Sequence, residues 1–258
     1  MKSNFDLTGK IALVTGSGQG LGKEFARSLA RAGASVYLMA RNVPRVEAAA
    51  AEIAAETGAK TWIHFIDVTD EQSVEAAAAF VRETTGRLDI LVNNAALGRS
   101  ETPLQDTPIE EWNAKMTTIA TGTFLCMKHF GRIMIEQKSG NIVNLASMGA
   151  KVCLKNVCTG AYDAAKGAVE SLTRCMAGEW AQYNIRVNSI CPGFILTDIN
   201  KEYISRNVDF YHKSQEHIPT RTWGNPEQMG DIAVFLASDA ASYVNGANIV
   251  ADGGYTIY

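Results

Sequence analysis

Two side chains four residues apart, Tyr162 and Lys166, make the strongest chemical pairing in the sequence. On a helix, residues i and i+4 share one face. A free phenol has a pKa of about 10 and is a poor base at neutral pH. A neighbouring ammonium favours the phenolate and lowers that value. A phenol tuned in this way can give a proton to a carbonyl or take one from an alcohol. Ser147 stands upstream, closing the run Asn141-Ile142-Val143-Asn144-Leu145-Ala146-Ser147. Near the N-terminus, Thr15-Gly16-Ser17-Gly18-Gln19-Gly20-Leu21-Gly22 follows an apolar run and leads straight into a helical pattern. Glycines let a backbone turn sharply and approach a pyrophosphate, and the helix N-terminus behind them offers free N–H groups and a positive dipole end.

Apolar β-type runs recur at 11–15, 36–40, 61–66, 90–92, 141–145, 186–190 and 248–250. Helical stretches lie between them at 22–32, 43–57, 72–85, 109–137, 162–183 and 226–236. Short continuous apolar strands alternating with helices predict a parallel sheet covered on both faces. Right-handed crossovers make it doubly wound, an α/β Rossmann-type fold expected to form a single domain over 1–258. Residues 197–223 break the rhythm and carry Tyr203, Tyr211, His212 and His217. So long an interruption predicts a small helical lid.

Composition removes other classes. Of 258 residues, 24 are Lys or Arg and 27 Asp or Glu, a net charge of −3 that gives no electrostatic footprint for nucleic acid. Hydrophobic residues make up 47% and charged residues 20%, enough apolar material for a core and against disorder. No run approaches the roughly 18 apolar residues of a membrane span. The opening Met1-Lys2-Ser3-Asn4-Phe5-Asp6 shows no apolar stretch of a secretory signal. Five Cys, without a Cys-x-x-Cys pair, favour reduced thiols and a cytoplasmic setting. The four His lack metal spacing, so no metal site is expected.

The glycine spacing is Thr-Gly-x-x-x-Gly-x-Gly, not Gly-x-Gly-x-x-Gly. Further along come Asp67-Val68, Asn93-Asn94-Ala95-Ala96, Ser147, Tyr162-x-x-x-Lys166, Asn188, Pro192-Gly193 and Asp252-Gly253-Gly254. In this order the chain resembles the short-chain dehydrogenase/reductase family over essentially its whole length. The resemblance implies a nicotinamide cofactor held at Gly16, Ser17, Gly20, Leu21 and Gly22, with Asp67 and Val68 at the adenine. It places Asn93 and Ala95 at the cofactor's ribose, and Pro192, Gly193, Ile195 and Thr197 at the nicotinamide, the last two against its carboxamide. It makes Ser147 the hydroxyl that polarises the substrate oxygen, Tyr162 the acid/base, and Lys166 a further partner of the nicotinamide ribose. The plain readings of these residues are strand-end caps and turns.

Cofactor preference is read at the end of the second strand, where Ala40-Arg41 stands in place of an acidic residue. A carboxylate would repel a 2′-phosphate, whereas a guanidinium can bind it with two charge-assisted hydrogen bonds. The expectation is therefore NADP(H) over NAD(H). Arg45 is either a second phosphate contact or an exposed helix residue. Arg99 is either a grip for a substrate carboxylate or a free surface side chain, and Lys151, Lys155 and Asn156 either rim the substrate mouth or are solvated. Within the family the chain is similar to gluconate 5-dehydrogenases and other sugar or polyol oxidoreductases, which implies a small carbonyl or alcohol substrate and a homotetramer. One departure stands out. Many family members carry an Asn that holds a proton-relay water where this chain has Ile119, within Thr118-Ile119-Ala120-Thr121-Gly122. The alternatives are an NAD-dependent polyol or gluconate-type dehydrogenase, an epimerase, and a cofactor-binding regulatory protein with little catalysis.

Overall fold

The chain alternates strand and helix: β1 (Ile11–Thr15), α1 (Gly20–Arg31), β2 (Ser35–Ala40), α2 (Val43–Thr57), β3 (Thr61–Phe65), α3 (Glu71–Thr85), β4 (Ile90–Asn93), α4 (Ile109–Lys115), α5 (Gly122–Gln137), β5 (Gly140–Leu145), α6 (Gly160–Trp180), β6 (Ile185–Pro192), α7 (Asp198–Arg206), α8 (Val208–Glu216), α9 (Pro226–Ala237) and β7 (Asn248–Ala251). This is a computed structural model, and it describes residues 3–99, 102–154 and 157–257. The strands form one seven-stranded sheet in the order β3-β2-β1-β4-β5-β6-β7, and every pairing is parallel. The expected doubly wound α/β sheet is present.

Side chains alternate across a strand, so each strand feeds two cores. Ala12, Val14, Val36, Leu38, Ile90 and Val92 pack with α1, α2 and α9 on one face. Leu13, Tyr37, Met39, Leu91, Ile142 and Val187 pack with α3, α5 and α6 on the other. Burying one such side chain contributes about 1.5–3 kcal/mol, and this two-sided burial explains why the strands read as continuous apolar runs.

Helix ends follow local chemistry. Asn42 caps α2 by accepting from Arg45 N at 3.1 Å, and Gly58 ends it in the left-handed region at φ 70°. Asp70 caps α3 through Gln72 N at 3.0 Å. Asn225 and Gln228 form a capping box at the start of α9. The helix expected over 109–137 is instead α4 and α5 joined by a wider π-helical stretch, Met116–Thr121. An extra residue in a turn leaves no mark on apolar periodicity, and such turns gather at functional sites. The interruption after β6 is built from α7 and α8.

Strand order reverses between β1 and β4, and a crevice opens there at the carboxyl ends of the strands. Gly22 seals its floor. A Cβ at Gly22 would collide with the Gly16 carbonyl oxygen and lie 2.5 Å from Asn94 Nδ2. Gly178, exposed in the last turn of α6, has open space where its Cβ would go. Gly178→Ala is therefore expected to stabilise the fold by about 0.5–1 kcal/mol. Gly22→Ala is expected to destabilise it by about 1–3 kcal/mol through overpacking. Thermal unfolding of the two variants checks this, and shifts of the same sign would contradict the packing described.

Candidate active site

The glycine turn is stitched to the loop after β4. Asn94 Nδ2 donates to Thr15 O at 2.9 Å and Gly16 O at 3.2 Å, while Thr15 Oγ1 accepts from Asn94 N and Ala95 N, each at 3.1 Å. Gly16 and Gly20 hold φ of 67° and 55°, which a side chain rarely adopts. Behind them α1 begins at Gly20 with no side-chain cap and no acidic residue in its first turn. Uncapped N–H groups and an uncompensated dipole suit an anion. A cavity of about 450 Å³ runs from this turn past Arg41 and Asp67 to Tyr162 and Lys166. A dinucleotide fits this donor set: a close-approach turn for its pyrophosphate, guanidinium groups at one end and hydroxyl-bearing groups at the other. Gly16, Gly20, Leu21, Gly22, Arg41, Asp67, Val68, Ala95 and Thr197 all line the cavity.

Two expected contacts point elsewhere. Ser17 is fully buried, with Oγ directed at Met39 O at 3.5 Å. Asn93 turns its side chain into the interior. Its Nδ2 donates to Asn144 Oδ1 at 2.8 Å, and Asn144 Nδ2 donates to Thr173 Oγ1 at 2.9 Å. Sheet alternation causes this: Asn94, the next residue, takes the cavity side. Asn188 braces β6 against the 244–247 turn by donating to Val244 O and accepting from Ala247 N, both at 2.9 Å.

At the nucleotide end, Asp67 Oδ1 accepts from Thr69 N at 3.0 Å and Thr69 Oγ1 at 2.7 Å. Burial pushes its pKa up, but these bonds and the Arg41 charge outweigh that and hold it below the usual value. Arg45 lines the same end, and its guanidinium donates to Gln19 Oε1 at 2.6 Å. Gln19 carried no role in the sequence reading.

Tyr162, Ser147 and Lys166 come together where α6 crosses the ends of β5 and β6. Ser147 Oγ accepts from Gly149 N at 3.1 Å, and its hydroxyl beside the Tyr162 phenol opposes the upward push on that group's pKa. Lys166 is buried, donates to Leu145 O and lies 5.6 Å from the Tyr162 ring centre. The electrostatics differ from expectation. Burial pushes the Tyr162 phenol up, and the opposing positive charge comes from Arg99 rather than Lys166. Burial also pulls Lys166 down to about 7, so near neutrality it is a half-neutral amine instead of a fixed ammonium.

A second cavity of about 400 Å³ opens on the other side of Tyr162. Ser147, Arg99, Asn200 and Tyr203 supply its polar groups. Pro192, Gly193, Ile195 and Thr197 line it too, so Thr197 faces both cavities. Its apolar wall is Phe194, stacked on Trp223 with ring centres 4.8 Å apart, and Phe210. The Arg99 guanidinium sits over Phe194 at 5.1 Å. Trp223 Nε1 donates to Ser214 Oγ at 2.8 Å, tying α8 to this wall. Lys115 was also missed by the sequence reading; buried, it donates to Gly98 O at 2.9 Å and holds the loop before Arg99.

Tyr211 packs on Trp223, while His212 and His217 are exposed. Lys151 does not line the cavity; it is exposed and pairs with Glu170 at 3.1 Å. Lys155 and Asn156 lie outside the described residues. Ile119 is buried with Ala146, Ala165, Val169 and Cys191, and Tyr162 packs against the same cluster.

A family model described as enoyl-(acyl carrier protein) reductase matches residues 16–256. D-threitol dehydrogenase of Mycolicibacterium smegmatis is 39% identical over 98% of this chain and 95% of its own length. NAD-dependent glycerol dehydrogenase of Listeria innocua is 36% identical over 98% of this chain and 96% of its own. The crystal structure of a gluconate 5-dehydrogenase from Burkholderia cenocepacia, in complex with NADP and tartrate, superposes with a TM-score of 0.93 at 33% identity, covering 99% of this chain and 98% of that one. With a parallel seven-stranded sheet and a motif order that agree with these matches, the chain belongs to the short-chain dehydrogenase/reductase family and is an oxidoreductase of alcohol groups.

Proposed function

We propose that the protein interconverts a ketone and a secondary alcohol by hydride transfer, with NADP(H) preferred and a polar polyol or sugar acid as substrate. The observation that carries this reading is the meeting of the two cavities at Tyr162, with Ser147 on the substrate side and Lys166 on the cofactor side. A bound nicotinamide ring supplies the hydride acceptor or donor. Gly16, Gly20, Leu21 and Gly22 would hold its pyrophosphate, Arg41 the 2′-phosphate, Asp67 and Val68 the adenine end, and Ile195 and Thr197 the carboxamide.

The chain's own groups manage the proton. Ser147 Oγ orients the substrate oxygen. Tyr162 Oη gives that oxygen a proton during reduction and takes one during oxidation. A neutral phenol is the form suited to donation, and its burial keeps it protonated at neutral pH. Arg99 faces the substrate cavity and would pair with a carboxylate or hydroxyls; the tartrate in the Burkholderia structure supports an acid-bearing substrate. Helices α7 and α8 would serve as the lid of one domain. A homotetramer packed through α5, α6 and β7 is the proposed assembly, supported by Phe124 and Val250 standing exposed on α5 and β7.

Absorbance of the reduced cofactor, followed with D-threitol, glycerol and gluconate, tests the reading. Turnover is expected with a polyol or sugar acid, and Tyr162→Phe is expected to lower kcat by about 10²–10⁴-fold while leaving cofactor affinity unchanged. A Tyr162→Phe variant of normal rate would refute the proposal. The relatives differ on cofactor: one is named NAD-dependent and another was crystallised with NADP. Arg41→Ala is expected to weaken NADP binding by about 10–100-fold, the value of one charged hydrogen-bonding contact, with NAD binding almost unchanged. Titration calorimetry with both cofactors checks this, and equal losses for the two would contradict Arg41 as the phosphate reader.

A further inference from the structure

Lys115 is a buried cation that the reaction described above does not use. It is 6% exposed and ends α4, where the wider π-helical stretch begins. Taking an ammonium out of water is costly, and a buried charge is tolerated where it is paired and hydrogen bonded. Glu111, one turn back and half-buried, places a carboxylate oxygen 3.4 Å from Lys115 Nζ. That pairing explains why the charge is tolerated. It does not explain why the amine also reaches another segment and donates to Gly98 O at 2.9 Å. Gly98 lines both the cofactor cavity and the substrate cavity, so its peptide stands in the wall between them. The carbonyl that Lys115 holds belongs to the same peptide plane as the Arg99 N–H. Glycine is the most permissive backbone residue, and a Cβ at Gly98 would meet nothing within 4 Å. Sterics therefore do little to fix how Arg99 leaves the wall. The Lys115 bond fixes its backbone end. At its other end the Arg99 guanidinium rests over Phe194 at 5.1 Å, in the lining of the substrate cavity.

We propose that Lys115 is a specificity-determining positioning residue: by pinning the Gly98–Arg99 peptide it keeps the Arg99 guanidinium aimed for a carboxylate, and so selects sugar acids over neutral polyols. The proposal rests on the reading that Arg99 pairs with the substrate, and it narrows the substrate to the acid-bearing class. Lys115 lines neither cavity, so its effect passes through one hydrogen bond to a backbone carbonyl. A long side chain that must be immobilised on binding loses freedom. A carboxylate pairs best with a guanidinium whose two parallel N–H donors already point at it. A hydroxyl rotates to suit its partner and gains less from that alignment. Losing the Lys115 bond therefore weakens the hold on an acid and leaves a polyol almost untouched. Arg99 keeps its charge throughout, so the change is one of aim.

The test measures kcat and KM of the whole enzyme with NADP on gluconate, an acid, and on D-threitol, a neutral polyol. The unmodified enzyme is expected to show the higher kcat/KM on gluconate. Lys115→Met keeps the apolar stem and drops the amine. It is expected to raise KM for gluconate about tenfold, the scale of one hydrogen bond to a charged group, with kcat and the KM for D-threitol unchanged. In an Arg99→Ala background the same substitution is expected to add nothing, because the two residues act through one contact. A loss of packing alone would raise both KM values and would persist without Arg99, and either result overturns the proposal. If Lys115→Met does not fold, Lys115→Gln, shorter and uncharged, must show a loss confined to gluconate; a loss shared by both substrates, or none, overturns the proposal. An unmodified enzyme without preference for gluconate, or an Arg99→Ala variant that keeps the preference, refutes the reading beneath the proposal. An Arg99→Ala variant that loses it beside an unimpaired Lys115→Met refutes the role of Lys115 alone.

Discussion

The burial of the Lys166 amine against the Leu145 carbonyl is the interaction around which the rest is arranged. Taking an ammonium out of water is costly, and a protein tolerates it only by hydrogen bonding the group or letting it lose its proton. Here both occur, and they require α6 to lie close across β5 and β6. One face of that helix carries Tyr162, Lys166, Glu170 and Thr173 into the interior, each answered by a polar group on the sheet. Ser147 meets the phenol, Leu145 O the amine, Cys191 the carboxylate and Asn144 the threonine. A polar stripe on a buried helix face loses its partners if it slides by a residue, so it fixes register as well as placing the reactive groups.

The opposite half of the crevice rests on backbone. Glycines at 16 and 22 allow the turn to close against Asn94, and α1 presents an uncapped N-terminus to the resulting cavity. Charge is graded along the cleft: Arg41 and Arg45 stand at the nucleotide end, and Arg99 stands across Tyr162 at the substrate end. Two of these cations are restrained, Arg45 by Gln19 and Arg99 over Phe194. Side chains held this way lose less freedom when a ligand arrives.

Much of this was legible in sequence, for identifiable reasons. Strands buried on both faces read as apolar runs, and α2 matched its expected span because Asn42 and Gly58 mark its two ends chemically. The glycine turn and the Tyr162–Lys166 spacing were legible because the partners are near in sequence. What was missed depends on partners far apart in the chain or on a half-turn of rotation. Lys151 read as a loop charge and is exposed on its loop, but its partner Glu170 lies on another element and could not be read. Ser17 and Asn93 were assigned to the cleft, yet Ser17 turns its hydroxyl toward Met39 O and Asn93 is one residue out of phase with Asn94, which faces the cleft. The π-helical stretch at Met116–Thr121 keeps an apolar pattern and so read as plain helix. The phenol's electrostatics inverted because spacing reports a neighbour's type and not its solvation.

The central claim is that burial sets the proton inventory of the site, leaving Lys166 able to exchange a proton near neutral pH. The direct measurement is NMR titration of Lys166 in the enzyme with isotopically labelled lysines, its signal assigned by the one that Lys166→Met removes. The account predicts a midpoint near 7, far below the ordinary value of 10.5. The sign follows for stability: below that midpoint the buried charge is fully present and its cost is greatest, and the cost is relieved as the pH rises toward the unfolded value. A midpoint close to 10.5 would contradict the account and return Lys166 to the role of a permanent ammonium beside Tyr162.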